Sequence, residues 1–167
     1  TLRCGLVLSV GNNHSLKEKK IFRDLMIMTQ LRGFDSTGLF SYFKQHNAKQ
    51  KKQIGYVMRD KELGTSTEFF QYSNKGDNYL DSGTPYKTHK AFMGHCRSAT
   101  LGKVTEDNAH PFEVEESLIG MHNGTIRGQF EGSGDFETDS EALYNLLSHN
   151  KLDIEKTIND VKQKALS

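Results

Sequence analysis

The sequence has little of what stabilises small secreted domains or membrane proteins. Its 167 residues include no tryptophan, two prolines and two cysteines, Cys4 and Cys96, which is too few for a disulfide framework and favours a reducing compartment. Apolar runs are short and the mean hydropathy is −0.66, so we expect neither a membrane span nor a secretory signal. Lysine and arginine number 22 against 21 acidic residues, so no bulk charge favours nucleic acid or a membrane surface. These absences predict a cytoplasmic protein.

The length and periodicity predict one domain of mixed helices and strands over residues 1–167. Helices are expected at Leu16–Gln30, with a capping box from Ser15 to Glu18, at Thr67–Tyr72, at Thr138–Ser148 and at Ile154–Ala165. Strands are expected at Arg3–Val10, Leu39–Lys44, Ile54–Met58, Ala91–Cys96 and Ser117–His122, with a polar segment at Gln45–Gln53 between the second and third. The pattern therefore indicates an α+β fold.

Polar clusters follow several of these strands, where loops on a rigid scaffold commonly carry function. In chain order, the clusters are Cys4-Gly5, Arg32-Gly33-Phe34-Asp35-Ser36, His95 to Thr100, Asn108-Ala109-His110-Pro111-Phe112, His122-Asn123-Gly124 and Glu137 to Glu141. From Cys4 to about Leu147, this order resembles a class II glutamine amidotransferase domain, an N-terminal-nucleophile (Ntn) hydrolase. The resemblance implies a four-layer αββα sandwich and hydrolysis of the side-chain amide of L-glutamine.

Cys4 is the candidate nucleophile, because a thiol is partly ionised near neutral pH and attacks carboxamides well. In the family that it resembles, the nucleophile is the first residue of the mature chain, and its α-amino group is the general base. Residues 1–3 precede Cys4 here, so we expect them to be a leader removed on maturation. The alternative for Cys4 alone is a small buried strand residue.

Asn123 and Gly124 could form an oxyanion hole from a side-chain amide and a backbone N–H, the role that the family gives to the matching pair. The alternative is an ordinary Asn-Gly turn closing a hairpin.

Recognition of free glutamine needs partners for a carboxylate and an ammonium group. Arginine binds carboxylates with two parallel hydrogen bonds, and Arg97, assisted by Thr100, matches the family's carboxylate-binding residues. Asp139 matches its amine-binding aspartate, although an acid in the first turn of a helix also favours the helix dipole.

Other residues of the clusters are expected to support the site rather than react. Arg32 matches a family arginine that organises the loop around the nucleophile, and Asp35 and Ser36 are expected to hold that loop through local side-chain to backbone bonds. We expect His110 to be a hydrogen-bonded scaffold residue and His122 to be structural. Gly33 and Gly38 are expected to serve the dihedral angles of the loop.

The sequence also departs from the family. Ser98 and Leu101 stand where many members carry an aromatic and a polar residue, and the family normally continues beyond the helix at Ile154 into further strands, so we expect the sandwich to be incomplete at the carboxyl end. A catalytically inactive Ntn-like binding domain remains an alternative. A structural zinc module using Cys4, Cys96 and nearby histidines is less favoured, because the paired spacing of zinc ligands is missing. The resemblance implies no cofactor or metal and a synthetase domain or partner that accepts ammonia.

Overall fold

The chain folds into helices packed on two antiparallel sheets, seen in a computed structural model that describes residues 4–73, 75–80, 87–114, 118–126 and 136–165. Its strands are β1 (Gly5–Val10), β2 (Ser36–Asn47), β3 (Lys52–Leu63), β4 (Lys87–Arg97), β5 (Phe112–Val114) and β6 (Leu118–Gly120). Its helices are α1 (Leu16–Thr29), α2 (Lys75–Leu80), α3 (Asp139–His149) and α4 (Ile154–Ala165), with a 3₁₀ turn at Gln30–Arg32 and a π-helical turn at Glu68–Tyr72.

The larger sheet has the strand order β1-β4-β2-β3, and every neighbouring pair is antiparallel. Gly5 pairs with Cys96, and Ser36 pairs with Arg97. β1 and β2 therefore begin, and β4 ends, at the same end of the sheet. This register brings together parts of the chain that are about thirty and sixty residues apart.

One face of this sheet packs against α1 to form the core. The Ser15 hydroxyl accepts a hydrogen bond from the Glu18 N–H, and the Glu18 carboxylate accepts one from the Ser15 N–H, which is the predicted capping box. Phe22 and Met26 of α1 are buried against the β4 side chains that point to this face. The cluster of buried residues is Phe22, Met26, Leu39, Phe69, Phe70, Leu80, Phe92 and Cys96.

The other face of the larger sheet contacts the segment that leads into β5 through stacked rings, and α3 in turn packs on β5 and β6. His95 of β4 stacks on His110 with ring centroids 4.0 Å apart, and His110 meets the Phe112 ring at 4.8 Å. Tyr144 of α3 packs so closely on β6 that a Cβ at Gly120 would lie 2.1 Å from its ring. On β1, this same face is apolar and exposed at its end, with Val10 72% exposed. The fold is thus α+β, as predicted, and none of the described helices is long and apolar enough to cross a membrane.

The predicted helices α1, α3 and α4 agree with the structure to within a residue or two. The strands predicted at Leu39–Lys44 and Ile54–Met58 are present as β2 and β3, but both are longer than predicted. The polar segment at Gln45–Gln53 is not a separate linker: β2 continues to Asn47 and β3 starts at Lys52, so the segment is the end of one hairpin. The short helix predicted at Thr67–Tyr72 is a π-helical turn. The last predicted strand is limited to Leu118–Gly120, and Ser117 lies outside the described residues.

Candidate active site

Cys4 lies immediately before β1, at the end of the larger sheet where β1 and β2 begin and β4 ends. Its side chain is half-buried, and its Sγ accepts a hydrogen bond from the Ser98 N–H at 3.3 Å and lies 3.4 Å from the Ser98 carbonyl oxygen. The residue that follows, Gly5, touches the end of α1, and a Cβ there would lie 1.9 Å from Thr29 Cγ2. The small residue after Cys4 therefore lets the end of α1 approach the beginning of β1.

Arg32 holds the backbone of Cys4 in place. It lies in the 3₁₀ turn that follows α1, and its Nε donates a 3.0 Å hydrogen bond to the Cys4 carbonyl. A guanidinium donor gives a charge-assisted bond, which is stronger than a bond between neutral groups. The structure thus places Arg32 beside the nucleophile candidate, in contact with its main chain rather than its sulfur.

Asp35 joins its loop to the end of β4. Its Oδ2 accepts a 2.7 Å hydrogen bond from the Ala99 N–H, and its own N–H donates to the Arg97 carbonyl at 3.0 Å. The expectation of local bonds within the loop was wrong, because the partner of this carboxylate is 64 residues away. Ser36 is also buried, and its hydroxyl has no hydrogen-bond partner among the described residues.

Gly33 and Gly38, on either side of Asp35 and Ser36, are required by close packing against neighbouring backbone rather than by their own backbone dihedral angles. Gly33 has an extended backbone with φ −162° and ψ 134°, which any residue can adopt. A Cβ at Gly33 would lie 2.4 Å from the carbonyl carbon of Arg97, and one at Gly38 would lie 1.7 Å from the His110 carbonyl oxygen. The expectation about dihedral angles was therefore wrong, and both glycines allow close contact between backbone segments.

Arg97 is buried at the end of β4 and is 4% exposed. Its Nη1 donates to the Lys103 carbonyl at 2.9 Å, and its Nη2 donates to the Leu101 carbonyl at 2.7 Å. Burial lowers the pKa of Arg97, while the nearby Cys4, Asp35 and Asp139 oppose that shift. The guanidinium therefore remains a cation that holds the loop after β4 by hydrogen bonds. These described bonds use two of its five N–H donors. Thr100 is exposed in this loop, with its Oγ1 3.3 Å from Thr125 Oγ1.

The first turn of α3 is bonded to the segment that follows β6. Asp139 Oδ2 accepts a 2.7 Å hydrogen bond from the Ile126 N–H, and His122 Nδ1 lies 3.1 Å from Ser140 Oγ. Asn123 and Gly124 lie within this segment and are exposed. A Cβ at Gly124 would lie 2.8 Å from His122 Nε2, so the glycine gives room to the imidazole ring.

One cleft gathers most of the predicted site. Its lining residues are Cys4, Arg97, Ser98, Thr100, Leu101, His110, His122, Gly124, Thr138, Asp139 and Ser140. Of the predicted residues, Arg32, Asp35 and Asn123 are not part of this lining. The cleft therefore combines a thiol, a guanidinium, a carboxylate, two imidazoles and a glycine backbone around a narrow space of about 20 Å³. These are the chemical groups that recognition of an amino acid and attack on its side chain require.

His110 differs from its expected role as a hydrogen-bonded scaffold residue. Its ring is 5% exposed, and neither ring nitrogen has a hydrogen-bond partner among the described residues. Burial lowers its pKa to about 2, and the electrostatic influence of its neighbours His95, His122, Arg97 and Lys61 lowers it further. His110 is therefore a neutral imidazole.

His95 is buried and stacks on His110 of the cleft wall, but it is not itself part of the lining. Burial lowers its pKa to about 3, although a hydrogen bond to the backbone of His122 partly opposes the shift. Since side chains alternate along a strand, His95 and Arg97 share a face of β4, and this spacing could have identified the residue.

No group of three or more His, Cys, Asp or Glu side chains in the described ranges is arranged to hold a metal ion. The zinc alternative thus gains no support from that part of the chain. The buried Cys96 instead lies 2.9 Å from the Ser66 hydroxyl and packs in the core beneath α1.

The chain matches no protein-family model. Among curated proteins it is similar to glutamine--fructose-6-phosphate aminotransferase (isomerizing) of Lactococcus lactis, with 31% identity over 87% of this chain and 22% of the relative. The same-named proteins of Campylobacter jejuni and Methanococcus maripaludis are 32% and 29% identical over 77% and 96% of this chain and 18% and 23% of their own lengths. The chain thus spans about a fifth of the length of these relatives. Over most of its own length, the chain is a homologue of glutamine-dependent aminotransferases, and its similarity to class II glutamine amidotransferase domains is confirmed.

Proposed function

We propose that this domain hydrolyses the side-chain amide of L-glutamine, giving glutamate and ammonia. The observation that carries the proposal is the cleft, because it gathers Cys4, Arg97, Gly124 and Asp139 from positions spread over most of the chain. The names of the relatives, which are glutamine-dependent aminotransferases, support the same substrate.

The chemistry assigns one task to each group. Cys4 Sγ attacks the amide carbon, and its proton passes through the α-amino group to the leaving nitrogen, so that ammonia leaves and a γ-glutamyl thioester remains. Asn123 and the Gly124 N–H hold the negative charge that develops on the amide oxygen. Water then cleaves the thioester, returning the thiol and releasing glutamate. The reaction needs no cofactor.

Recognition of the amino acid uses two oppositely charged groups of the cleft, Arg97 and Asp139. Arg97 retains donors beyond those bonded to Leu101 and Lys103, and with Thr100 it binds the α-carboxylate. Asp139, at the beginning of α3, binds the α-ammonium. Arg32 and Asp35 hold the main chain on which Cys4 and Ala99 stand.

We further propose that residues 1–3 are removed, since the mechanism needs a free α-amino group on Cys4, and that an ammonia-accepting domain or partner uses the product. The contacts of α1, the two sheets and α3 support the four-layer αββα sandwich. The exposed apolar face of β1, with Leu8 59% and Val10 72% exposed, supports further strands that complete it.

The test compares the protein that begins at Cys4 with the protein that begins at Thr1. We expect the protein that begins at Cys4 to release glutamate and ammonia from glutamine. The protein that begins at Thr1 should do so only if residues 1–3 are removed, and N-terminal sequencing of the active sample shows whether they are. Cys4→Ala should abolish turnover, while Cys96→Ala, the matched control, should retain it because Cys96 lies in the core. Binding of glutamine without hydrolysis by the protein that begins at Cys4 would contradict the proposal and favour an inactive binding domain.

A further inference from the structure

A continuous line of hydrogen bonds joins Arg97 to the segment that leads into α3. The Lys103 carbonyl accepts one bond from Arg97 Nη1 at 2.9 Å and a second from Asn108 Nδ2 at 3.1 Å. The same Nδ2 donates to Glu137 Oε2 at 2.7 Å. Both partners of the Asn108 amide are acceptors only, so the side chain must present its NH₂ group to them and not its oxygen. Asn108 therefore links the loop after β4 to the residue at position 137.

The surroundings of the Asn108 amide hold the two segments tightly together. Asn108 is 4% exposed, and hydrogen bonds that are shielded from water are electrostatically stronger. Gly102, in the loop after β4, has φ +74°, and a Cβ there would lie 2.7 Å from the Glu137 carbonyl oxygen and 3.2 Å from Asn108 Nδ2. The bond from Asn108 also lowers the pKa of Glu137, and the charge of Lys103 lowers it further. The bond to Glu137 is thus charge-assisted.

The two linked segments carry the two charged groups that are proposed to hold the substrate. Arg97 ends β4, and Asp139 begins α3 two residues after Glu137. In an α-amino acid, the carboxylate and the ammonium are attached to the same carbon atom, so the protein groups that bind them need a fixed separation. Such groups have to be held within about 0.5 Å of the productive geometry, usually by hydrogen bonds from residues behind them. Asn108 lies in the position to supply this support.

We infer that Asn108 is a positioning residue that fixes the separation between Arg97 and Asp139 and so makes the cleft specific for an α-amino acid head group. This inference rests on the proposed function of the cleft. Asn108 is not part of the cleft lining, and it acts through the Lys103 carbonyl and the Glu137 carboxylate. Without its amide, each charged group can still bind its own half of the ligand, but the two halves are no longer bound together at their best distances.

The test measures binding to Cys4→Ala protein, in which no turnover occurs, by isothermal titration calorimetry. The ligands are glutamine and glutaramate, which is glutamine without its α-amino group and therefore uses only the carboxylate side of the site. Asn108→Asp keeps the size of the side chain but removes both donated bonds. We expect it to weaken glutamine binding by about tenfold or more, because each lost bond contributes about two- to tenfold, and to leave glutaramate binding unchanged.

A second substitution at the partner residue tests the link itself. In the double variant Asn108→Asp/Glu137→Gln, the new amide at position 137 can donate to the new carboxylate at position 108, so part of the glutamine affinity should return. Glu137→Gln alone keeps an acceptor and should have little effect. Lys103→Ala is the matched control: it removes the side chain whose Nζ lies 3.8 Å from Glu137 Oε1 but keeps the carbonyl, and we expect neither ligand to be affected.

The outcomes separate the two proposals. Equal weakening of both ligands in Asn108→Asp, unchanged glutamine binding, or no recovery in the double variant would overturn the role of Asn108. Absence of glutamine binding to the Cys4→Ala protein with Asn108 intact would instead count against the proposed function. Thermal melting checks that each variant is folded. If Asn108→Asp does not fold, Glu137→Ala, at an exposed position, replaces it and should weaken glutamine binding alone.

Discussion

The contact between Gly38 and the His110 carbonyl predicts a large penalty for one added methyl group. A Cβ on Gly38 would lie 1.7 Å from that oxygen, whereas real contacts of this kind are essentially never below 3.0 Å, so the two segments would have to separate by about 1.3 Å. Gly38 cannot move away easily, because β2 pairs on both sides and Gly38 lies opposite Lys61 on one strand and His95 on the other. Overpacking of this kind costs about 3 kcal/mol.

We therefore expect Gly38→Ala to lower the free energy of unfolding by about 3 kcal/mol, which for a domain of this size corresponds to a fall in Tm of roughly 6–12 °C. Urea unfolding followed by circular dichroism measures the first quantity, and a thermal scan measures the second. Gly55→Ala is the matched control, since its Cβ would meet only the flexible end of Tyr42, 2.8 Å from the hydroxyl. If Gly38→Ala is as stable as Gly55→Ala, the argument from backbone contact is wrong.

Two further predictions concern titratable groups. The pKa values of His95 and His110 are lowered to about 3 and about 2, so the unfolded chain binds protons below pH 6.5 that the folded protein excludes; stability is full above pH 6.5 and falls as the pH decreases. Urea unfolding between pH 6 and pH 4.5 measures the free energy of unfolding. As the pH decreases, this free energy should fall by about 1.4 kcal/mol per pH unit less in His110→Phe than in the unsubstituted protein, and identical slopes would contradict the assignment. Burial raises the pKa of Cys96 to about 11, so iodoacetamide at pH 8 should alkylate native protein once, at Cys4. Intact mass before and after Cys4→Ser checks this, and rapid labelling of Cys96 in the native protein would count against it.

Local signals in the sequence were sufficient for α1, α3 and α4, whereas α2 was not predicted. The capping box from Ser15 to Glu18 and the hydroxyl of Thr138 determine where α1 and α3 begin, and both bonds are present. For the candidate site, the resemblance names Cys4, Arg97 and Asp139 together, and these three residues line one cleft.

Contacts between distant segments could not be predicted in the same way. The tip of the β2–β3 hairpin is polar and exposed, so nothing in its hydrophobic pattern showed that pairing continues to Asn47 and Lys52. The bond from Ala99 to Asp35 and the stacking of His95 on His110 exist only after the strands have paired. Interpretation of the sequence segment by segment therefore assigned these residues contacts within their own segments.

The strand order has a consequence for how the chain reaches its folded state. Pairing of β2 with β3 begins across a turn between Asn47 and Lys52, whereas pairing of β1 with β4 joins Val10 to Ala91. Closing the longer loop costs about 2.5 kcal/mol more in chain entropy. The hairpin can form by itself, but the neighbourhood of Cys4 depends on this long-range pairing. A nascent chain must therefore expose β4 before its thiol acquires the partners at Ser98, which couples assembly of the cleft to completion of the sheet.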